Sequence, residues 1–190
     1  MDRRHAALAG HRQDESGARA ALADADAKVR ATALGALERL RALRRDDLET
    51  AFGDPAPEVR RRAAELAAAH HDADVLPLLD DPNPLVAEAA AFAAGEHPPR
   101  PAAIDALAGA ARRHRDPLVR EAAVAALGAL GDERGLPAIL AALDDKPAIR
   151  RRAVIALAPF SGPAIDTALR RALTDRDWQV RQAAEDLLAD

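Results

Sequence analysis

The chain has 190 residues, of which 49% are apolar and only 2% aromatic, and 27 basic against 31 acidic side chains leave a net charge of −4. Its interior must therefore be built from Ala, Leu, Val and Ile, and the slightly acidic balance excludes a protein whose whole surface is made for phosphate backbones. The absence of cysteine excludes disulfides, zinc–thiolate sites and cysteine nucleophiles.

Residues 1–14 carry charges but no apolar stretch of signal-peptide length, and they are expected to form an irregular N-terminal cap. Helical hairpins follow. In the first (about 15–42), Asp26 precedes an apolar row that starts at Val29. In the second (43–71), Leu48 and Phe52 mark a first helix, Gly53-Asp54-Pro55 breaks it, and Pro57 opens a second helix at Val59. The third (72–97) places Val75, Leu78 and Leu79 on a first helix and starts its second at Pro84. The Pro-rich segment Glu96 to Pro101 then predicts the longest loop. Ile104 and Leu107, followed by Asp116-Pro117 and Val119, make the fourth hairpin (98–131), which ends at Gly131-Asp132. Leu136, Ile139, Leu140 and Leu143, then Pro147 and Ile149, make the fifth (132–160). Ser161-Gly162-Pro163 opens the sixth (161–190), with Ile165, Leu169 and Leu173 before Val180.

The second helices share a pattern. Counted on the β-branched residue, they recur at Val29, Val59, Val86, Val119, Ile149 and Val180, at spacings of 30, 27, 33, 30 and 31. Four residues on, all six copies have Ala: Ala33, Ala63, Ala90, Ala123, Ala153 and Ala184. Offsets 0, +4, +7, +8 and +11 share one face of a helix, and an Ala in every copy suits a close approach of two backbones. A fixed period of this length predicts stacked units. One continuous array over residues 1–190 is expected, without an independent second domain. The sixth copy replaces the aliphatic +5 residue (Leu34, Ala64, Ala91, Val124, Val154) by Glu185 beside Asp186, a polar face with no following repeat to cover, so residue 190 is expected to end the solenoid.

In copies such as Asp116-Pro117-Leu118-Val119-Arg120-Glu121-Ala122-Ala123-Val124-Ala125-Ala126-Leu127-Gly128, the chain resembles the HEAT-like repeats of the phycobilisome-lyase type. The resemblance covers roughly residues 15–190 and implies an all-α, right-handed α-α superhelix of about six helical hairpins, with the second helices lining its concave side. It implies no one activity, because such repeats occur in scaffolds, chromophore lyases, an iron hydroxylase and DNA glycosylases alike.

Arg occupies offset +1 in five copies (Arg30, Arg60, Arg120, Arg150, Arg181), and Asp occupies −5 in five (Asp24, Asp54, Asp81, Asp144, Asp175). The rows break at Ala87 and at His114, as pairing of each Arg with the next repeat's Asp would require. The expected ladder is Arg30–Asp54, Arg60–Asp81, Arg120–Asp144 and Arg150–Asp175. A cation in the first turn of a helix opposes the macrodipole unless an anion compensates it. The competing reading is a basic track for an acidic ligand.

Offsets +2, +6 and +9 point away from the core stripe. They predict a concave groove with an apolar centre at Phe92, Ala125 and Ile155, flanked by Arg61, Glu65, Glu88, Glu121 and Arg151 and kept shallow by Gly95, Gly128 and Ala158. Such a groove suits an amphipathic helix or an extended peptide. Phe92 packing between repeats would be the structural alternative. His70 and His97 both stand at +11 in consecutive copies, with His71, Asp72 and Glu96 near in sequence, and are the only metal-site candidates. The related deoxyhypusine hydroxylase has repeated His-Glu pairs, whereas this chain has a single reversed Glu96-His97, which removes most of that support.

Arg clusters at Arg60–Arg62, Arg112, Arg113 and Arg115, Arg150–Arg152, and Arg170 with Arg171 support an alternative reading as a DNA-binding or DNA-glycosylase-like protein. Against it stand interspersed acids and a scarcity of aromatic platforms, only Phe52, Phe92, Phe160 and Trp178. A metal-dependent or chromophore-lyase-related enzyme is the weaker alternative. No phosphate loop, HExxH or GxSxG is present. The expected protein is a non-enzymatic interaction scaffold for a protein or peptide partner, monomeric, without cofactor and without a membrane span, in the cytoplasm.

Overall fold

A computed structural model describes residues 14–189. The cap expected over residues 1–14 falls, Asp14 apart, outside them, as does the end at residue 190. All regular structure among the described residues is helical. The α-helices are α1 (Glu15–Ala21), α2 (Ala27–Arg39), α3 (Arg45–Phe52), α4 (Pro57–Ala67), α5 (Pro84–Glu96), α6 (Pro101–Arg113), α7 (Pro117–Leu130), α8 (Leu136–Ala142), α9 (Pro147–Ala156), α10 (Pro163–Ala172) and α11 (Trp178–Ala189). None is long and apolar enough to cross a membrane.

Local chemistry explains the helix starts. Asp14, Asp26, Asn83, Asp116 and Asp177 each accept a backbone N–H of the first turn, at 2.8–3.0 Å. Pro57, Pro84, Pro101, Pro117, Pro147 and Pro163 open six helices, where a missing N–H costs nothing. Helix α7 stops at Gly131, whose φ of 61° is left-handed and therefore suits glycine.

The third hairpin differs from expectation. Its first element is not an α-helix but a five-residue 3-10 turn, Leu76–Asp80. This repeat is the shortest of the array, and Pro77 denies the segment one N–H. Val75, Leu78 and Leu79 are nevertheless buried, so the turn fills the place of the missing helix.

The chain divides into two compact units, Met1–Ala93 and Ala94–Asp190. In the first, α2 packs on α1 and α4, and α3 on α4. In the second, α7 packs on α6, α8 and α9, α9 on α8 and α11, and α10 on α11. Each unit is thus a layer of first helices against a layer of second helices. All six repeated alanines, Ala33 through Ala184, are fully buried, as are the β-branched residues that start each row. Leu48, Ile104, Leu107 and Ile139 complete the interior from the first helices. The last repeat departs as its sequence suggests, with Glu185 and Asp186 exposed and Asp186 accepting from Gln182 Nε2 at 2.8 Å.

Glycine marks the closest helix approaches. A Cβ on Gly95 would lie 2.9 Å from Cα and Cβ of Ala126, and one on Gly128 would lie 2.7 Å from Cα and Cβ of Ala156. Offset +9 therefore does not line an open surface at these two positions, contrary to the expectation from helical angles. It lies on the flank that meets the next second helix.

Candidate functional site

Within each unit the loop side and the second-helix side hold different chemistry. On the loop side runs the Arg–Asp ladder. Arg30 Nε and Nη2 donate to Asp54 at 2.7 and 2.6 Å, and Arg60 donates to Asp81 at 2.7 and 2.9 Å. Arg120 donates to Asp145 at 2.7 and 2.8 Å, and Arg150 to Asp175 at 2.8 and 2.7 Å. Every contact is bidentate, the strong form of this pair. The third nitrogen, Nη1, turns back to a carbonyl of the Arg's own inter-helix loop: Asp24, Asp54, His114 and Asp145 for these four, and Asp175 for Arg181. Arg30, Arg60, Arg120 and Arg150 thus each tie their own loop to the next one.

Arg120 corrects the expected register, since its partner is Asp145 and not Asp144. In the other loops the ladder Asp also accepts the backbone N–H two residues on, at Ala56, Asn83 and Asp177. The Asp144-Asp145-Lys146 loop is drawn tighter, and Asp145 accepts from Lys146, the next residue, at 2.7 Å. Asp144 turns outward to Arg171, both side chains being about two-thirds exposed. In the loop without a ladder Asp, His114 Nδ1 takes the same role and accepts from Asp116 N at 3.1 Å.

The electrostatics follow from these contacts. Hydrogen bonds from Arg30, Arg120 and Arg150 hold Asp54, Asp145 and Asp175 below the usual carboxylate range. Burial alone would push Asp81 up, but the Arg60 guanidinium and the Asn83 amide together hold it low as well. The guanidinium groups are raised in turn by their carboxylates.

On the opposite side, the second helices present the residues expected to line a groove, divided between the units. In the first unit α4 carries Arg61 and Glu65, and α5 carries Glu88 and Phe92; Phe92 is 55% exposed. In the second, α7 carries Glu121 and Ala125, and α9 carries Arg151 and Ile155; Ile155 is 46% exposed. Glu88, Ala125 and Arg151 are half-buried. Ion pairs stitch this face more loosely than the ladder. Arg61 and Arg62 both approach Glu65, at 3.6 and 3.1 Å, and Arg152 of α9 approaches Glu121 of α7 at 3.7 Å.

Sequence reasoning missed three features of this face. Leu85 and Leu118, at offset −1, are 47% and 38% exposed, and the helical angle of −1 places them in the same stripe as +2 and +6. Trp178 is 65% exposed in the column that holds proline in four other copies. Gly35 is not open surface, because Arg62 Nη2 of the next second helix lies where its Cβ would be, 2.9 Å away.

The histidines do not assemble into a metal centre: among the described residues no group of three or more His, Asp or Glu side chains is placed to hold an ion. His70 Nε2 instead lies 2.7 Å from Glu38 Oε2, while His97 is buried. Several clustered arginines are committed to carboxylates, among them Arg60, Arg62, Arg150, Arg152 and Arg171.

Comparison with known proteins agrees with this architecture. Residues 73–158 match the family model of HEAT repeats. The whole chain is similar to an engineered protein (TM-score 0.64, 20% identity, 93% of this chain and 95% of the other). It is similar to the complex of CpcE and CpcF of phycocyanin lyase from Nostoc sp. PCC7120 (TM-score 0.63, 23% identity, 92% and 75%). It is also similar to a designed armadillo repeat protein in complex with the peptide (KR)4 (TM-score 0.58, 18% identity, 97% and 97%). No curated relative matches the sequence. Residues 73–158 are thus HEAT repeats, and the chain carries the all-helical fold of the HEAT and armadillo repeat proteins.

Proposed function

We propose that the chain is a non-enzymatic interaction scaffold whose exposed second-helix face receives a protein or peptide partner. The observation that carries this reading is that each unit leaves a large apolar side chain at offset +6 in water among charged neighbours, Phe92 in the first and Ile155 in the second. Apolar side chains exposed on a stripe with a polar rim are the usual mark of a contact surface. The fold supports the same use: one similar structure is a complex of two chains and another holds a peptide. In this reading residues 1–190 belong to a single repeat array, and the protein acts as a monomer in the cytoplasm.

Photo-crosslinking tests it. A benzophenone side chain placed at Phe92 or Ile155 is expected to trap a discrete protein in cells, and the same group at Ala141, exposed on α8, is not. Equal trapping from all three positions, or none from either open-face position, overturns the reading.

A further inference from the structure

Offsets −2, +1, +5 and +8 lie within about 80° of one another on a helix of about 3.6 residues per turn, so they form one stripe. In α7 and α9 of the second unit this stripe faces the following repeat. Its +5 and +8 residues, Val124 and Leu127 in one helix and Val154 and Leu157 in the other, are fully buried, and its Arg is held by a carboxylate of the next loop. In α11 of the same unit the stripe reads Trp178, Arg181, Glu185 and Leu188, and it is open. Trp178 is 65% and Leu188 49% exposed, and Glu185 is exposed with them.

The charges of this stripe are not satisfied within the chain. Arg181 Nη1 donates to Asp175 O at 2.7 Å, but among the described residues no carboxylate reaches its Nε and Nη2. Glu185 has no ion-pair partner among them either. The two stand four residues apart in the helix, yet the anchor on Asp175 draws the guanidinium toward the helix start and away from Glu185.

We propose that α11 is a self-association surface, which pairs antiparallel with α11 of a second copy. The spacings along the stripe, 3, 4 and 3 residues, read the same in both directions. About a two-fold axis between antiparallel helices, each Arg181 therefore meets Glu185 of the other copy, and each Trp178 meets Leu188. Charges and apolar side chains are covered together, and the Arg181 fork takes a carboxylate as the four ladder arginines do. A parallel pair would set Arg181 on Arg181 and Glu185 on Glu185. A plain aliphatic helix fits less well, because it would bury Glu185 without a cation.

The stripe is about 15 Å long. One helix pair of this length buries well under the roughly 1,200 Å² of a stable complex, so pairing is weak, with a dissociation constant on the order of 100 µM. The dilute chain is monomeric. The inference goes beyond the scaffold reading without resting on it, since offsets +2 and +6 lie outside the stripe.

Sedimentation velocity between about 5 and about 500 µM is the test. Wild type is expected to pass from monomer to dimer across this range, and the emission of Trp178, the one tryptophan, to shift to the blue with it. Arg181→Glu alone and Glu185→Arg alone set like charges opposite each other, and each should weaken pairing at least about tenfold. An equimolar mixture of these two variants restores opposite charges across the axis and should pair as wild type does. Leu188→Glu, at an exposed position outside the ladder, should also prevent pairing, and circular dichroism verifies the fold of each variant. If Arg181→Glu does not fold, Glu185→Arg and Leu188→Glu carry the test. Wild type that stays monomeric up to about 500 µM, folded variants that pair as wild type does, a mixture that stays apart, or dimerisation without a change in Trp178 emission overturns the proposal.

Discussion

Gly128→Ala is expected to destabilise the protein even though Ala is the better helix former. In mid-helix the exchange favours folding by about 1 kcal/mol through backbone entropy. Here the new Cβ would meet Cα and Cβ of Ala156 at 2.7 Å, where ordinary contact begins at 3.4 Å. The obstructing Cα belongs to the backbone of α9, so relief means parting α7 from α9 along their length. Overpacking of this kind costs about 1–3 kcal/mol, and a backbone obstruction belongs at or above the upper end. The net expectation is a loss of about 2 kcal/mol, or about 4–8 °C in melting temperature for a chain of this size. Gly109→Ala is the matched control. Its Cβ meets only Arg113 Nη2, the far end of a flexible side chain, at 2.9 Å, so it should stabilise by about 0.5–1 kcal/mol. Urea unfolding followed by circular dichroism measures both. A Gly128→Ala variant at least as stable as wild type would refute the close approach of α7 and α9.

The ladder register is checked by a second pair: Asp145→Asn should cost about 2 kcal/mol by stripping a charged, bidentate partner from Arg120, whereas Asp144→Asn, in an exposed pair, should cost less than about 1. Acid titration reads the same contacts. Asp54, Asp81, Asp145 and Asp175 are held below the ordinary carboxylate range, so the unfolded chain binds protons first as pH falls. Their contribution should be complete above the ordinary carboxylate pKa, about 4, and be lost below it as pH passes through the folded values. A variant lacking Asp175 should show a shallower acid slope. Because Trp178 is exposed, its native fluorescence should be quenched by acrylamide nearly as readily as in urea; strong protection would refute its placement.

The columns of the sequence already determined the fold. An Ala recurring at +4 in every copy, with a β-branched residue one turn before it, leaves a helix no face to bury other than this one, and the period allows no arrangement but stacking. The Arg and Asp rows were legible for the same reason, since both sit at constant distance from a helix start whose geometry Asp and Pro define locally. What the columns did not hold was set by neighbours. Whether Asp144 or Asp145 meets Arg120 depends on how tightly one loop is drawn, a difference of one residue that only packing of α8 against α9 selects. Gly95 and Gly128 looked like open surface because a helical wheel gives an angle but not the distance to the next helix. Gly35 likewise became the bed of Arg62 only through the approach of α2 and α4.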